Sequence, residues 1–167
     1  MNDPEALIKT LGLAPHPEGG FYCRTYESIE STTPSTAPQS DRPSRPTVTS
    51  IYYLLQQDQY SRLHRIQSEE LWFYHTGSTD LQVCGIDEQG SAFDLKIGPD
   101  AGAWQTRVAP KAWFGARLVD PGQAQFALVS CVVTPGFVFS EFELADREEL
   151  VKQYPEHRVL IERMTSP

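Results

Sequence analysis

From residue 50 to residue 144 the chain runs as short, apolar-rich segments broken at close intervals by turn residues, and this rhythm constrains the fold most. Ser91 to Ile97 is the clearest segment: Phe93, Leu95 and Ile97 alternate with Ala92, Asp94 and Lys96. A period of two places each set on its own face of a strand, with one face buried. Ser50 to Leu55, Ser61 to Ile66, Glu70 to His75 and Asp80 to Asp87 precede it. Trp113 to Val119, Ala124 to Val133 and Phe137 to Leu144 follow. Glu88-Gln89-Gly90, Gly98-Pro99, Ala109-Pro110, Asp120-Pro121-Gly122 and Pro135-Gly136 supply turns between them. Many short strands at this spacing predict an all-β sandwich or barrel and not a parallel α/β sheet.

Short helices are expected at both ends. Asp3 caps the first, Pro4 suits its opening position, Leu7 and Leu11 share a face, and Gly12 marks its stop. The second begins at Asp146, whose carboxylate pairs with Glu149 in a capping box. Leu150 and Tyr154 lie on its inner face, and Pro155 ends it. His16-Pro17-Glu18-Gly19-Gly20-Phe21 reads as a tight turn built around a carboxylate. Ser28 to Thr47 is rich in Ser, Thr and Pro, with Pro34, Pro38, Pro43 and Pro46, and reads as a long surface loop. Only about 27 residues precede it, too few for a domain, so residues 1–167 are expected to form one domain.

Charge narrows the partners. The 14 Lys and Arg against 22 Asp and Glu give a net charge of −8. Such a surface repels nucleic-acid backbones and anionic lipid while leaving room for a local basic pocket for one anionic ligand. The expected partner, from the pocket lining below, is a small polar metabolite. No run approaches the roughly 20 apolar residues of a membrane helix. Met1-Asn2-Asp3-Pro4-Glu5 lacks the order of a signal peptide. Cys23, Cys84 and Cys131 fit neither a disulfide framework nor a zinc spacing, so a cytoplasmic location is expected.

His64, Ile66, Glu70 and Gly77 carry the spacing of the first cupin motif, with Ile66 where that motif has its second histidine. Pro110 begins the second motif, but Ala112 and Gly115 stand at its glycine and histidine places. The chain more broadly resembles the fifth cupin grouping, a family of unknown function described as predicted sugar epimerases. The matching blocks are His16-Pro17-Glu18-Gly19-Gly20 with Arg24, Ser50-Ile51-Tyr52-Tyr53-Leu54-Leu55, His64-Arg65-Ile66 and Glu70-Leu71-Trp72. Cys131, Pro135-Gly136-Phe137 and Phe142-Glu143-Leu144 complete them. The resemblance implies a double-stranded β-helix, or jelly-roll barrel, and a homodimer. Val138, Ala112 and the length of the Ser/Thr/Pro loop depart from the family pattern.

A cupin metal site needs three imidazoles and a carboxylate, and only His64 and Glu70 remain of it. Two protein ligands hold a transition metal weakly, so neither a metal nor another cofactor is expected. His16 falls in the opening turn, His157 beyond the last helix, and His75 on the opposite strand parity from Glu70. Gln105 or Glu18 stays open as a substitute ligand.

If His64 points inward, as the cupin match implies, alternation brings Arg62 with it. Glu70, Trp72 and Tyr74 share a face of the next strand. Epimerisation beside a carbonyl needs one group to remove a proton and another to return it. A free imidazole titrates at about 6.5, which suits His64 as the base. Glu70 would orient its ring, Tyr52 or Tyr74 would be the acid, and Arg62 or Arg24 would hold a phosphate. Glu18 or Arg24 would reach across to the mouth, or else the glycines serve a sharp turn and Arg24 simply pairs with an acid. Trp113 is read either as core or as pocket lining. Against these roles stand plainer ones: a His64–Glu70 pair holding two strands in register, and Tyr52 or Tyr53 as sheet packing. The functional readings are therefore a metal-independent isomerase or epimerase of a sugar or similar metabolite, and a non-catalytic ligand-binding or sensing cupin. A metal-dependent oxygenase ranks last.

Overall fold

The computed structural model describes residues 3–32, 44–122 and 125–166. Helix α1 (Pro4–Leu11) leads into β1 (Ala14–Pro15) and β2 (Phe21–Glu27), then into the short pair β3 (Ser31–Thr32) and β4 (Arg45–Pro46). Longer strands follow as β5 (Thr49–Gln56), β6 (Tyr60–Arg65), β7 (Glu69–Gly77), β8 (Leu81–Ile86) and β9 (Ala92–Ile97). β10 (Gln105–Val108), β11 (Trp113–Leu118) and β12 (Phe126–Thr134) come next, then β13 (Glu143–Leu144), α2 (Arg147–Gln153) and α3 (Arg158–Met164).

The strands form a six-stranded sheet ordered β1-β2-β5-β12-β7-β10 and a five-stranded sheet ordered β13-β6-β11-β8-β9. The chain crosses between them repeatedly, from β5 to β6, β6 to β7 and β11 to β12, which is a jelly-roll path. Tyr53, Trp72, Tyr74 and Val129 of one sheet meet Leu81, Val83, Phe114 and Leu118 of the other in a single core. Among the described residues the two sheets stay separate, with no ladder closing them into the barrel expected from the sequence. Large side chains between the sheets, and not strand pairing, make the contact.

Both helix caps form as read. Asp3 Oδ1 accepts from the Glu5 N–H at 3.1 Å, and Asp146 Oδ1 from the Glu149 N–H at 2.9 Å. α1 packs on Leu54, Phe126 and Leu128, and α2 and α3 cover Leu63, Ile86 and Trp113 on the outer face of the five-stranded sheet. None of the helices among the described residues is long and apolar enough to cross a membrane.

Several boundaries differ from expectation. Pro155 ends α2 but also opens a 3-10 turn that continues into α3, a position a proline tolerates. β2 went unread because its second half is exposed on both faces and shows no alternation. β10 is only four residues long. The expected strand from Phe137 to Leu144 survives only as β13 at its end, with a 3-10 turn over Phe139–Glu141 before it. Its backbone bonds elsewhere: the Gly136 N–H donates to Pro46 O at 2.8 Å and the Phe137 N–H to Thr49 Oγ1 at 2.9 Å. The Ser/Thr/Pro segment is drawn together at its ends by β3 and β4; Pro34, Pro38 and Pro43 lie outside the described residues. Arg45, at its far end, is buried and donates to Ser68 Oγ at 3.1 Å and to Glu141.

Two bulges position the site. In the β6–β11 ladder His64 faces Phe114 and Ser61 faces Ala116, so Arg62 and Leu63 together oppose Gly115. In the β2–β5 ladder Arg24 faces Ile51 and Tyr26 faces Ser50, with Thr25 as the extra residue. Each bulge turns a spacing of three into a shared face, where strict alternation needs an even spacing. A Cβ on Gly115 would lie 2.4 Å from Ser61 O, so the first bulge requires glycine opposite it. Gly115→Ala is expected to lower stability by about 2 kcal/mol in urea unfolding. An unchanged midpoint would show that the bulge does not press on this backbone.

Candidate functional site

Glu18 is the centre of a polar cluster at the edge of the interior. It is only 6 % exposed, although it comes from a turn. Gly19 and Gly20 carry φ of +115° and +69°, and a Cβ on Gly19 would sit 2.2 Å from Tyr60 O. Only glycine lets the turn press this closely against β6. Arg62 clamps it from outside: its N–H donates to Glu18 O at 2.8 Å and its guanidinium to Pro17 O. The Glu18 carboxylate then accepts from Ser61 Oγ at 2.8 Å and lies 3.3 Å from His64 Nδ1 and 3.5 Å from His16 Nδ1.

These contacts set the imidazole tautomers. His64 Nδ1 lies 2.8 Å from Arg62 O, which only accepts, so Nδ1 carries a proton and in the neutral ring Nε2 holds the lone pair. His16 Nδ1 instead receives the Glu18 N–H at 3.2 Å, which leaves its proton on Nε2. Burial lowers the His16 pKa against the attraction of Glu18, and His64 adds to the lowering. The His64 ring lies between Phe114 and Phe142, with centroids 4.2 Å and 5.4 Å away.

Opposite, on β7, Glu70 is 7 % exposed. Burial, reinforced by the negative charge of Glu18, pushes its pKa up to about 8, while the Cys131 thiol acts in the other direction. Glu70 is therefore mainly a neutral acid and hydrogen-bond donor near pH 7. Burial also raises the Cys131 thiol well above its usual range.

His16, Glu18, His64 and Glu70 line one small chamber with Tyr22, Arg24, Thr49, Ile51, Ile66, Cys131 and Val133, under Phe137, Phe139 and Phe142. Its volume is about 40 Å³. A buried water occupies roughly 10–15 Å³ in the same measure, so the space holds a few waters or a few heavy atoms.

The structure thus brings His64, Glu70, Glu18 and Arg24 together and leaves the other expected site residues outside. Arg62 is displaced by the bulge, which takes it off the His64 face. Trp72 and Tyr74 share the inner face with Glu70 but sit deeper, filling the core. The Tyr74 hydroxyl donates to Thr79 O at 2.9 Å, and burial raises its pKa to about 12, which makes it a poor acid. Tyr52 lies on the other face, packed towards α1 and edge-on to His75. Trp113 is core beneath α2 and α3, with the Arg65 guanidinium 4.4 Å above its ring. His16, set aside in the sequence reading, lines the chamber. A histidine two residues before the turn carboxylate was the available signal.

Among the described residues no three His, Cys, Asp or Glu side chains are placed to hold a metal ion. At the place of the motif's second histidine, Ile66 contributes only hydrocarbon to the chamber.

A family model described as Cupin superfamily (DUF985) matches residues 5–145. A protein of known structure from Shewanella oneidensis is 32 % identical over 100 % of this chain and 99 % of its own, with a TM-score of 0.85. A hypothetical protein from Leishmania major is 31 % identical over 99 % of both chains, also at 0.85. The oxalate decarboxylase of Lactobacillus farciminis, solved as a formate complex, shares the fold alone, at 12 % identity and a TM-score of 0.54 over 93 % of this chain and 42 % of its own. No curated protein matches the chain.

Glu70 has a direct consequence for stability. Its folded pKa, about 8, lies above the reference value of 4.5, so between these values the folded state holds a proton that the unfolded state has lost. Stability should therefore fall, by a few kcal/mol at most, as pH rises from about 5 to about 8, and level off above. Urea unfolding of Glu70→Gln should lack this component of the slope. Identical pH profiles for the two proteins would contradict the buried neutral acid.

Proposed function

This chain belongs to the DUF985 family of the cupin superfamily, and on that premise we propose that its chamber binds a small polar carbonyl metabolite and isomerises or epimerises it without a metal. The observation that carries the reading is the pairing of complementary proton states from opposite sheets. His64, on the five-stranded sheet, is held through Nδ1 by Glu18 so that its neutral ring offers the Nε2 lone pair, and Glu70, on the six-stranded sheet, offers an acidic proton. Groups whose surroundings push them to opposite roles near pH 7 are the working parts of acid–base catalysis.

In this scheme His64 Nε2 removes the proton from the carbon beside the carbonyl. Glu70 gives a hydrogen bond, then its proton, to the carbonyl oxygen as an enediol forms. Return of the His64 proton to the former carbonyl carbon, as the Glu70 carboxylate takes the proton of the adjoining hydroxyl, completes an isomerisation. Protonation of the original carbon on its other face by a chamber water that His64 then reprotonates, as Glu70 recovers its proton from the enediol oxygen, completes an epimerisation. Glu18 holds the imidazolium while the charge exists. Phe137, Phe139 and Phe142 keep bulk water from the intermediate. The acid is thus Glu70 in place of the tyrosines expected from the sequence. The volume of the chamber favours a short-chain carbonyl compound over an intact sugar ring.

A binding protein without chemistry is the second reading, favoured by the largely hydrocarbon walls of Ile51, Ile66, Val133 and the three phenylalanines. Solvent-deuterium incorporation into small hydroxy-carbonyl compounds separates the two. Exchange should be catalysed by the wild-type protein and fall about 100-fold or more in His64→Ala and Glu70→Gln. Saturable binding with exchange no faster than in buffer would favour the binding protein.

A further inference from the structure

We propose that the ligand is a short-chain 2-oxo or 2-hydroxy carboxylate whose carboxylate is held at the mouth by Arg24, which gives up Glu27 to take it. This assignment rests on the acid–base reading of the same chamber and adds the chemical class of the ligand.

Three observations converge. The first is hydrogen-bonding polarity. Glu70 presents a proton, His16 carries its own on Nε2 and Arg24 adds guanidinium N–H groups, while His64 Nε2 is the acceptor opposing them. A donor-rich lining selects a ligand rich in acceptor oxygens. The second is charge. Arg24 is the only Lys or Arg lining the chamber among the described residues, in a chain of net charge −8. A cation kept at the mouth of an acidic protein draws an anion to that point. The third is size, since about 40 Å³ admits a few heavy atoms, enough for a two- or three-carbon unit whose carboxylate stays at the opening.

The second bulge makes Arg24 available. Tyr22 and Arg24 line the chamber, and the extra residue Thr25 then brings Glu27 onto the same face, where it pairs with Arg24. Both side chains are partly exposed, at 32 % and 53 %, so the pair is solvent-screened and exchangeable. Glu27 is thus a stand-in for the ligand: a carboxylate occupying the guanidinium until another arrives. An incoming carboxylate gains the bidentate geometry that arginine offers, with its carbonyl or hydroxyl carbon directed inward to His64 and Glu70.

Calorimetric titration of the full chain with pyruvate and lactate, against the uncharged analogue hydroxyacetone and against glucose, tests this. The wild-type protein should bind both carboxylates at least about tenfold more tightly than hydroxyacetone, and glucose not measurably. Arg24→Gln should remove that advantage, weakening both carboxylates about tenfold more than hydroxyacetone. Glu27→Gln, which frees the guanidinium, should tighten carboxylate binding, so the opposite signs of the two variants separate a binding role from loss of folding. No carboxylate binding by the wild-type protein, equal affinity for hydroxyacetone, or an unaltered Arg24→Gln would overturn the assignment. Arg24-dependent binding without solvent exchange would instead defeat the isomerase reading alone. Exchange of hydroxyacetone protons by a wild-type protein that binds no carboxylate would defeat the carboxylate and leave the isomerase standing.

Discussion

A buried carboxylate is costly unless its oxygens are satisfied, and the arrangement around Glu18 follows from that constraint. Ser61 donates to one oxygen, and the His64 Nδ1–H lies against the other. Bringing those partners together requires a turn that only Gly19 permits at this distance, an arginine holding the turn from outside, and a bulge that faces Ser61 and His64 the same way. The charge so stabilised then acts across the chamber, where it helps to keep Glu70 protonated. One anion thus orients the base and supports the acid.

The bulges explain why the candidate site was only half legible. Strand alternation is a reliable guide to faces where the ladder is regular, and it placed Glu70 on the inner face and His75 on the outer one. It failed at Arg62, because an inserted residue resets the parity and nothing in Ser61-Arg62-Leu63-His64 marks the insertion. The signal lay on the partner strand, in a glycine at residue 115 whose place depends on register. Register is a tertiary property, which a single sequence does not display.

Depth was the other hidden quantity. Glu70, Trp72 and Tyr74 share a face, yet only the first, near the start of β7, reaches the chamber, while the others fill the space between the sheets. Period tells which way a side chain points, not how far along the strand the interior is already packed. The fold class, by contrast, was legible from turn spacing alone, because strands this short leave few architectures. Its closure into a barrel was not, since it depends on how large side chains such as Trp72 and Phe114 hold the sheets apart.

The tautomer of His64 is the most direct test of this account. Nitrogen-15 NMR of histidine-labelled protein distinguishes a protonated Nδ1 from a protonated Nε2 in the neutral ring. The geometry predicts that the neutral ring of His64 carries its proton on Nδ1, with a disturbed signal in Glu18→Gln. A neutral His64 protonated on Nε2, indifferent to the Glu18 substitution, would contradict it.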